Sequence, residues 1–203
     1  YDHVGSLMRP ESLLISRKKW KAGDISLEEL NAHEDECIKD VVKLQEDAGL
    51  KSITDGEFRR ESFHVDFITQ IKNVTSNWDF EQTVKLSEEH TAGVDKKMPF
   101  IPYINGKMER PEGGIEVANF KYTSSVTDRT VKVTVPSPTM THFRGGREAI
   151  DQTAYPTMDD FFADLARIYR DELADLYDAG CRYVQFDDTN LAFLCDEKMR
   201  ENA

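Results

Sequence analysis

The chain has 203 residues, 39% of them hydrophobic, which is enough for one sizeable core or two small ones. Its 38 acids against 26 bases give a net charge of −12, which argues against a nucleic-acid or anionic-membrane partner because neutralising phosphate needs a basic face. No apolar run approaches the roughly 20 residues of a bilayer span and no signal-peptide pattern opens the chain; the acidity is what a soluble cytoplasmic protein is expected to carry.

The chain opens on Tyr1-Asp2-His3, inside sequence that already reads as structured, so further residues are expected upstream. His3-Val4 is a short strand candidate leading into Gly5-Ser6. Ser26 and Glu29 make a capping box, after which apolar residues recur at helical spacing from Leu27 to Ala48 and Gly49 supplies the stop. Leu50 to Thr54 then reads as a buried strand ending in Asp55-Gly56-Glu57. Residues 63–129 break the βα rhythm and read as an excursion with antiparallel strands, in which Phe100-Ile101-Pro102-Tyr103 precedes an Asn105-Gly106 hairpin turn. Thr130 to Val135 is strongly β-branched and ends at Pro136-Ser137-Pro138. A second amphipathic helix starts near Thr157, carries Asp159 and Asp160 in its first turn and ends at Gly180. Cys181 to Phe186 is again a strand, followed by Asp187-Asp188, and Asp196 to Asn202 is helix-like.

One unit therefore occurs twice: amphipathic helix, Asp-Ala-Gly stop, short buried strand, acids at the strand's carboxyl end. Such alternation with short connections means parallel βαβ units. Parallel strands place ligand sites at their carboxyl ends, which is where these acids stand. A strand-end acid also serves simply to cap the following turn. Four parallel strands are too few to close a barrel, and half a barrel leaves an open strand edge and a bare apolar face. That edge is expected to be covered by the missing remainder of a longer chain or by self-association.

The stretches Val4-Gly5-Ser6, Asp55-Gly56-Glu57-Phe58-Arg59-Arg60 and Gln185-Phe186-Asp187-Asp188-Thr189-Asn190 resemble the cobalamin-independent methionine synthases, especially their short, single-barrel bacterial members. The resemblance runs from residue 2 to the end, with three motifs in order, each at a predicted strand end. It implies an α/β fold, a (β/α)8 TIM-type barrel of the uroporphyrinogen-decarboxylase and methionine-synthase kind. Residues 1–203 would form the N-terminal half of one catalytic barrel domain. It implies a methyltransferase moving a methyl group from 5-methyltetrahydrofolate to the thiol of homocysteine, with no cobalamin. Zinc, expected in the full-length enzyme, activates that thiol.

Carried over by the resemblance, Val4, Gly5 and Ser6 meet the amino acid's carboxylate, while Glu57 and Asp187 grip its amino group. Phe143 stands nearest the family's folate aromatic, although a packing role fits it too. Arg59 and Arg60 are folate candidates, through a glutamyl tail, or else members of an ion-pair network with Glu61 and Asp66. Asp55 and Asp188 fall to structural roles. Asp188-Thr189 departs from the Asp-Glu-Pro of the longer enzymes. His64 and His142 are candidate proton carriers, or ordinary structural histidines. No H-x-C occurs and Cys37, Cys181 and Cys195 lie apart, so the zinc ligands are expected outside this chain and the thiols reduced; a zinc site on His90 or Cys195 would contradict this. The competing readings are a related barrel with a corrinoid donor or another thiol acceptor, and a non-catalytic binding module on the same fold.

Overall fold

The computed structural model describes residues 2–77, 101–197 and 200. The first residues of the expected hairpin up to Phe100, His90, and most of the closing helix-like segment lie outside them. The chain divides into two compact units. The first comprises Tyr1–Phe63, Gly113–Val135 and Glu172–Phe186; the second comprises His64–Glu112, Pro136–Asp171 and Asp187–Ala203.

In the first unit, helix α1 (Glu11–Ala22) starts after Pro10 and closes on Gly23, whose φ of 80° is the left-handed conformation that a residue without Cβ adopts freely. Helix α2 (Leu27–Asp47) begins with the expected capping box: Glu29 N–H donates to Ser26 Oγ and Ser26 N–H donates to Glu29 Oε2. Leu30, Cys37, Ile38, Val41 and Val42 face inward and cluster with Leu13, Ile53 and Phe58. Strand β1 is only Ser52–Ile53, shorter than the five residues expected. Gln45 of α2 explains the truncation. Its side chain accepts from Thr54 N–H (3.0 Å) and donates to Thr54 C=O (2.7 Å), taking both ladder groups at the next position.

Three strands form one sheet in the order β1-β4-β5, where β4 is Thr130–Pro136 and β5 is Tyr183–Asp187. Strands β1 and β4 run parallel, as the helix–strand alternation predicts. From Val131 onward every residue of the central β4 is buried, including Lys132 and Thr134. His3-Val4, expected as a further strand, is not one. Side chains hold this segment in place of a ladder. Lys132 Nζ donates to His3 C=O and pairs with Asp2, whose carboxylate also accepts from the Ser52 and Tyr183 hydroxyls (2.6 Å each). Helix α4 (Val117–Ser125) completes this unit.

The second unit contains the short helix α3 (Val65–Ile68) and two antiparallel strands, β2 (Lys72–Ser76) and β3 (Pro102–Glu109). Antiparallel pairing is as expected, but Asn105-Gly106 makes no hairpin turn and sits inside β3. Lys72 faces Glu109 while Val74 faces Ile104, so Asn73 alone opposes four residues. Asn73 takes a left-handed φ of 63° and donates from its amide to Lys107 C=O (2.7 Å). The Asn-Gly pair thus lies in a bulge, where the left-handed residue is Asn73 of the facing strand. Helix α5 (Met158–Asp178) runs across the division between the units; Tyr155, Phe161, Phe67 and Ile104 are buried in the second.

Candidate functional site

The carboxyl end of β1 turns sharply under local control. Gly56 N–H donates to Thr54 Oγ1 (3.1 Å) and Glu57 N–H donates to Asp55 Oδ1 (2.8 Å). Asp55 therefore serves as a turn former. Gly56 (φ 69°) and Glu57 (φ 58°) are both left-handed. For glutamate that conformation is uncommon and costs on the order of 1–2 kcal/mol, and it is kept only where surroundings impose it. Here Asp55 holds the amide, and Arg9 Nη2 donates to the Glu57 carbonyl (3.0 Å).

This strained turn carries the Glu57 side chain into the interior, where the residue is 1% exposed. Each carboxylate oxygen receives one hydroxyl: Ser6 Oγ donates to Oε2 (2.6 Å) and Thr134 Oγ1 to Oε1 (3.2 Å). Ser6 follows Gly5, left-handed at φ 84° with open space around its Cα. The segment bearing Ser6 is pinned by Leu7 N–H to Gly56 C=O (3.1 Å). Ser6 and Glu57, 51 positions apart, are thereby brought into contact.

Behind Glu57 lies a buried ion pair. Arg60 Nη2 stands 3.1 Å from Glu116 Oε1, and the guanidinium also donates to Thr134 C=O (2.6 Å) and Thr134 Oγ1 (3.3 Å). Burial works against charge here, but Glu116, Asp55 and Glu57 outweigh it and hold the arginine above its ordinary value. Burial pushes the Glu116 carboxyl up, with Arg60 opposing. The arrangement suits recognition of a zwitterion: a buried carboxylate with spare acceptor capacity beside a glycine turn that exposes backbone.

A family model described as the catalytic domain of cobalamin-independent synthase matches residues 3–202. The chain belongs to this family. A protein of Bacillus subtilis, described as uncharacterized protein YxjH, is 32% identical over 98% of this chain and 50% of its own length. The 5-methyltetrahydropteroyltriglutamate–homocysteine methyltransferase of Saccharomyces cerevisiae is 28% identical over 93% of this chain and 23% of its own. The crystal structure of a putative vitamin-B12 independent methionine synthase from Listeria monocytogenes superposes with a TM-score of 0.76 at 32% identity, covering 98% of this chain and 57% of that one. This chain spans about half the length of the Bacillus relative.

Within this family member, the other residues singled out from sequence fall in several places. Val4 is 69% exposed beside Gly5. Asp187 ends β5, and its carbonyl accepts from Ser137 N–H (3.2 Å). Asp188 is a tether, accepting from the Ser137 (3.0 Å) and Thr139 (3.2 Å) hydroxyls. Phe143 stacks on Phe193 with ring centroids 5.3 Å apart. The ion-pair network expected around Arg59 and Arg60 is real but has other members. Arg59 pairs with Glu34 and Asp35 of α2 and lies over the Tyr122 ring, Arg60 pairs with Glu116, and Glu61 with Lys21.

His64 is buried and desolvation, aided by the Arg144 charge, lowers its pKa to about 4. His142 lies edge-on to Phe161 and Phe162, and burial lowers it too. Both are neutral at physiological pH, which suits structural histidines better than proton carriers. Cys37 and Cys181 are buried, Cys195 is exposed, and none forms a disulfide. Among the described residues no three His, Cys, Asp or Glu side chains are grouped to hold a metal, so zinc does not fit them. Thr134 and Glu116 were missed by sequence reasoning. Thr134 looks like any β-branched strand residue, and Glu116 like a surface acid; only tertiary contact gives them a role.

Proposed function

We propose that the protein containing this chain is a methyltransferase that moves the methyl group of 5-methyltetrahydrofolate, in its polyglutamate form, to the thiol of homocysteine, giving methionine. The chain's part is to hold the amino-acid end of homocysteine. One observation carries the reading: Glu57, buried on a strained turn at the end of β1, is bonded to Ser6 of the glycine turn, in a member of the cobalamin-independent synthase family. Relatives named homocysteine methyltransferases support the acceptor and donor.

In this reading the Glu57 carboxylate receives the ammonium, and Gly5 and Ser6 present backbone and hydroxyl to the carboxylate. Asp187 is proposed as a second acid for the ammonium, on the sequence resemblance. Phe143 is proposed as a folate contact on the same ground, and Arg59 as a contact for the glutamyl tail. Arg60, given its burial, positions its neighbours. The thiol-activating metal belongs to residues outside this chain.

The test is calorimetric binding of homocysteine, with methyl-folate turnover, by the full-length protein. Glu57→Ala should weaken homocysteine binding by about 1.5–3 kcal/mol, the range for hydrogen bonds to a charged group. Unchanged affinity would make Glu57 a turn residue only and remove the reading's main support.

A further inference from the structure

The buried cluster behind Glu57 contains a hydroxyl whose direction is fixed by its neighbours. Thr134 Oγ1 lies 3.3 Å from Arg60 Nη1 and 3.2 Å from Glu57 Oε1. Arginine has donors and no acceptor, so the threonine hydroxyl accepts from Arg60 and its single proton is left for Glu57. Arg60 is itself held in orientation by Glu116 (3.1 Å) and by the Thr134 carbonyl (2.6 Å). On the other oxygen, Ser6 donates to Oε2 at 2.6 Å. Each Glu57 oxygen is therefore occupied once by a hydroxyl of known direction. A carboxylate oxygen has two acceptor sites, so one on each remains for a ligand's donors.

We propose that Thr134, oriented by the Arg60–Glu116 pair, is a positioning residue for the substrate's ammonium group. It fixes the rotation of the Glu57 carboxylate and so the acceptor sites that meet the amine. This rests on the reading of Glu57 given above. Fixing the carboxylate in advance saves the ordering that a free side chain would undergo on binding. Valine, near in size but without a hydroxyl, would leave the Glu57 carboxylate held by Ser6 alone and one Arg60 N–H without this acceptor.

The experiment measures binding by the full-length protein of two thiols, L-homocysteine and 4-sulfanylbutanoate, which lacks the amine. Thr134→Val should weaken homocysteine about tenfold, as for one lost hydrogen bond to a charge, and leave 4-sulfanylbutanoate within about twofold. Thr134→Ser should restore homocysteine binding, and in turnover the loss should fall on KM for homocysteine with kcat retained at saturation. Thr134→Ala serves the same purpose if the valine variant does not fold. Equal weakening of both thiols, or no rescue by serine, would reduce Thr134 to a packing role and overturn the proposal. Wild-type homocysteine binding by Thr134→Val beside a weakened Glu57→Gln would overturn this proposal alone. Wild-type binding by Glu57→Gln as well would overturn the reading on which it rests.

Discussion

Glu57 shows how far a single residue can be read before its surroundings are known. Its place after a buried strand was legible because Asp55-Gly56 is turn chemistry following the helix stop at Gly49 and the short strand pattern Leu50 to Thr54. Its left-handed backbone was not, since nothing local marks a glutamate for that conformation; Arg9 and Asp55 impose it. His64 makes the same point with a titration. In sequence it is one histidine among five, and burial is what sets its charge. Its folded pKa of about 4 lies below the ordinary 6.5, so between those values the unfolded chain binds more protons. Stability from this group is complete above pH 6.5 and is lost as pH falls toward 4. The shift corresponds to about 3 kcal/mol. Urea unfolding at the two ends of this window should give a steeper acid loss for the wild-type protein than for His64→Gln, by roughly that amount. Parallel losses would show that His64 ionises equally in both states.

At the level of elements, legibility followed the location of the stabilising groups. Helix α2 was plain because its cap is local, with Ser26 and Glu29 three positions apart, and because five apolar residues (Leu30, Cys37, Ile38, Val41 and Val42) keep the helical period on its buried face around Glu34 and Gln45. Helix α1 escaped because its buried face contains Arg17 as well as Leu13, which weakens the apolar period. That arginine is satisfied at long range, by Glu34 Oε1 (3.1 Å), Arg60 C=O (2.8 Å) and the Phe58 carbonyl. Helix α4 escaped for another reason. It has no side-chain cap from its own N-cap residue, Glu116; instead the Glu172 carboxylate of α5 accepts from Ile115 N–H (2.9 Å) and Glu116 N–H (2.7 Å). A carboxylate there also meets the positive end of the α4 dipole. Glu172→Ala would leave two buried amides without their acceptor and should cost about 1.5–3 kcal/mol of stability. Hydrogen exchange at Ile115 and Glu116 should accelerate with it. Unchanged stability and exchange would mean that water replaces the carboxylate without loss.

For the whole molecule, the parallel strands and the family were legible because both depend on short motifs at strand ends. The division into two compact units was not, since each unit is assembled from three separated stretches of chain. The sheet order β1-β4-β5 leaves β1 and β5 as edges among the described strands, and β5 exposes Tyr183 (36%) and Phe186 (44%). An edge strand offers backbone donors and acceptors to any partner strand, and exposed aromatics add apolar area to such a contact. The relatives matched over nearly all of this chain are about twice as long, so they contain as much sequence again with which to cover such an edge. We therefore expect the 203-residue chain, prepared alone, to self-associate as its concentration rises. Supplying the remaining portion of the full-length protein in trans should compete with that association and return a defined one-to-one complex. Sedimentation velocity over a concentration series distinguishes the outcomes. A chain that stays monomeric throughout, with no uptake of the other portion, would mean that the β5 edge is already closed by the chain's own residues.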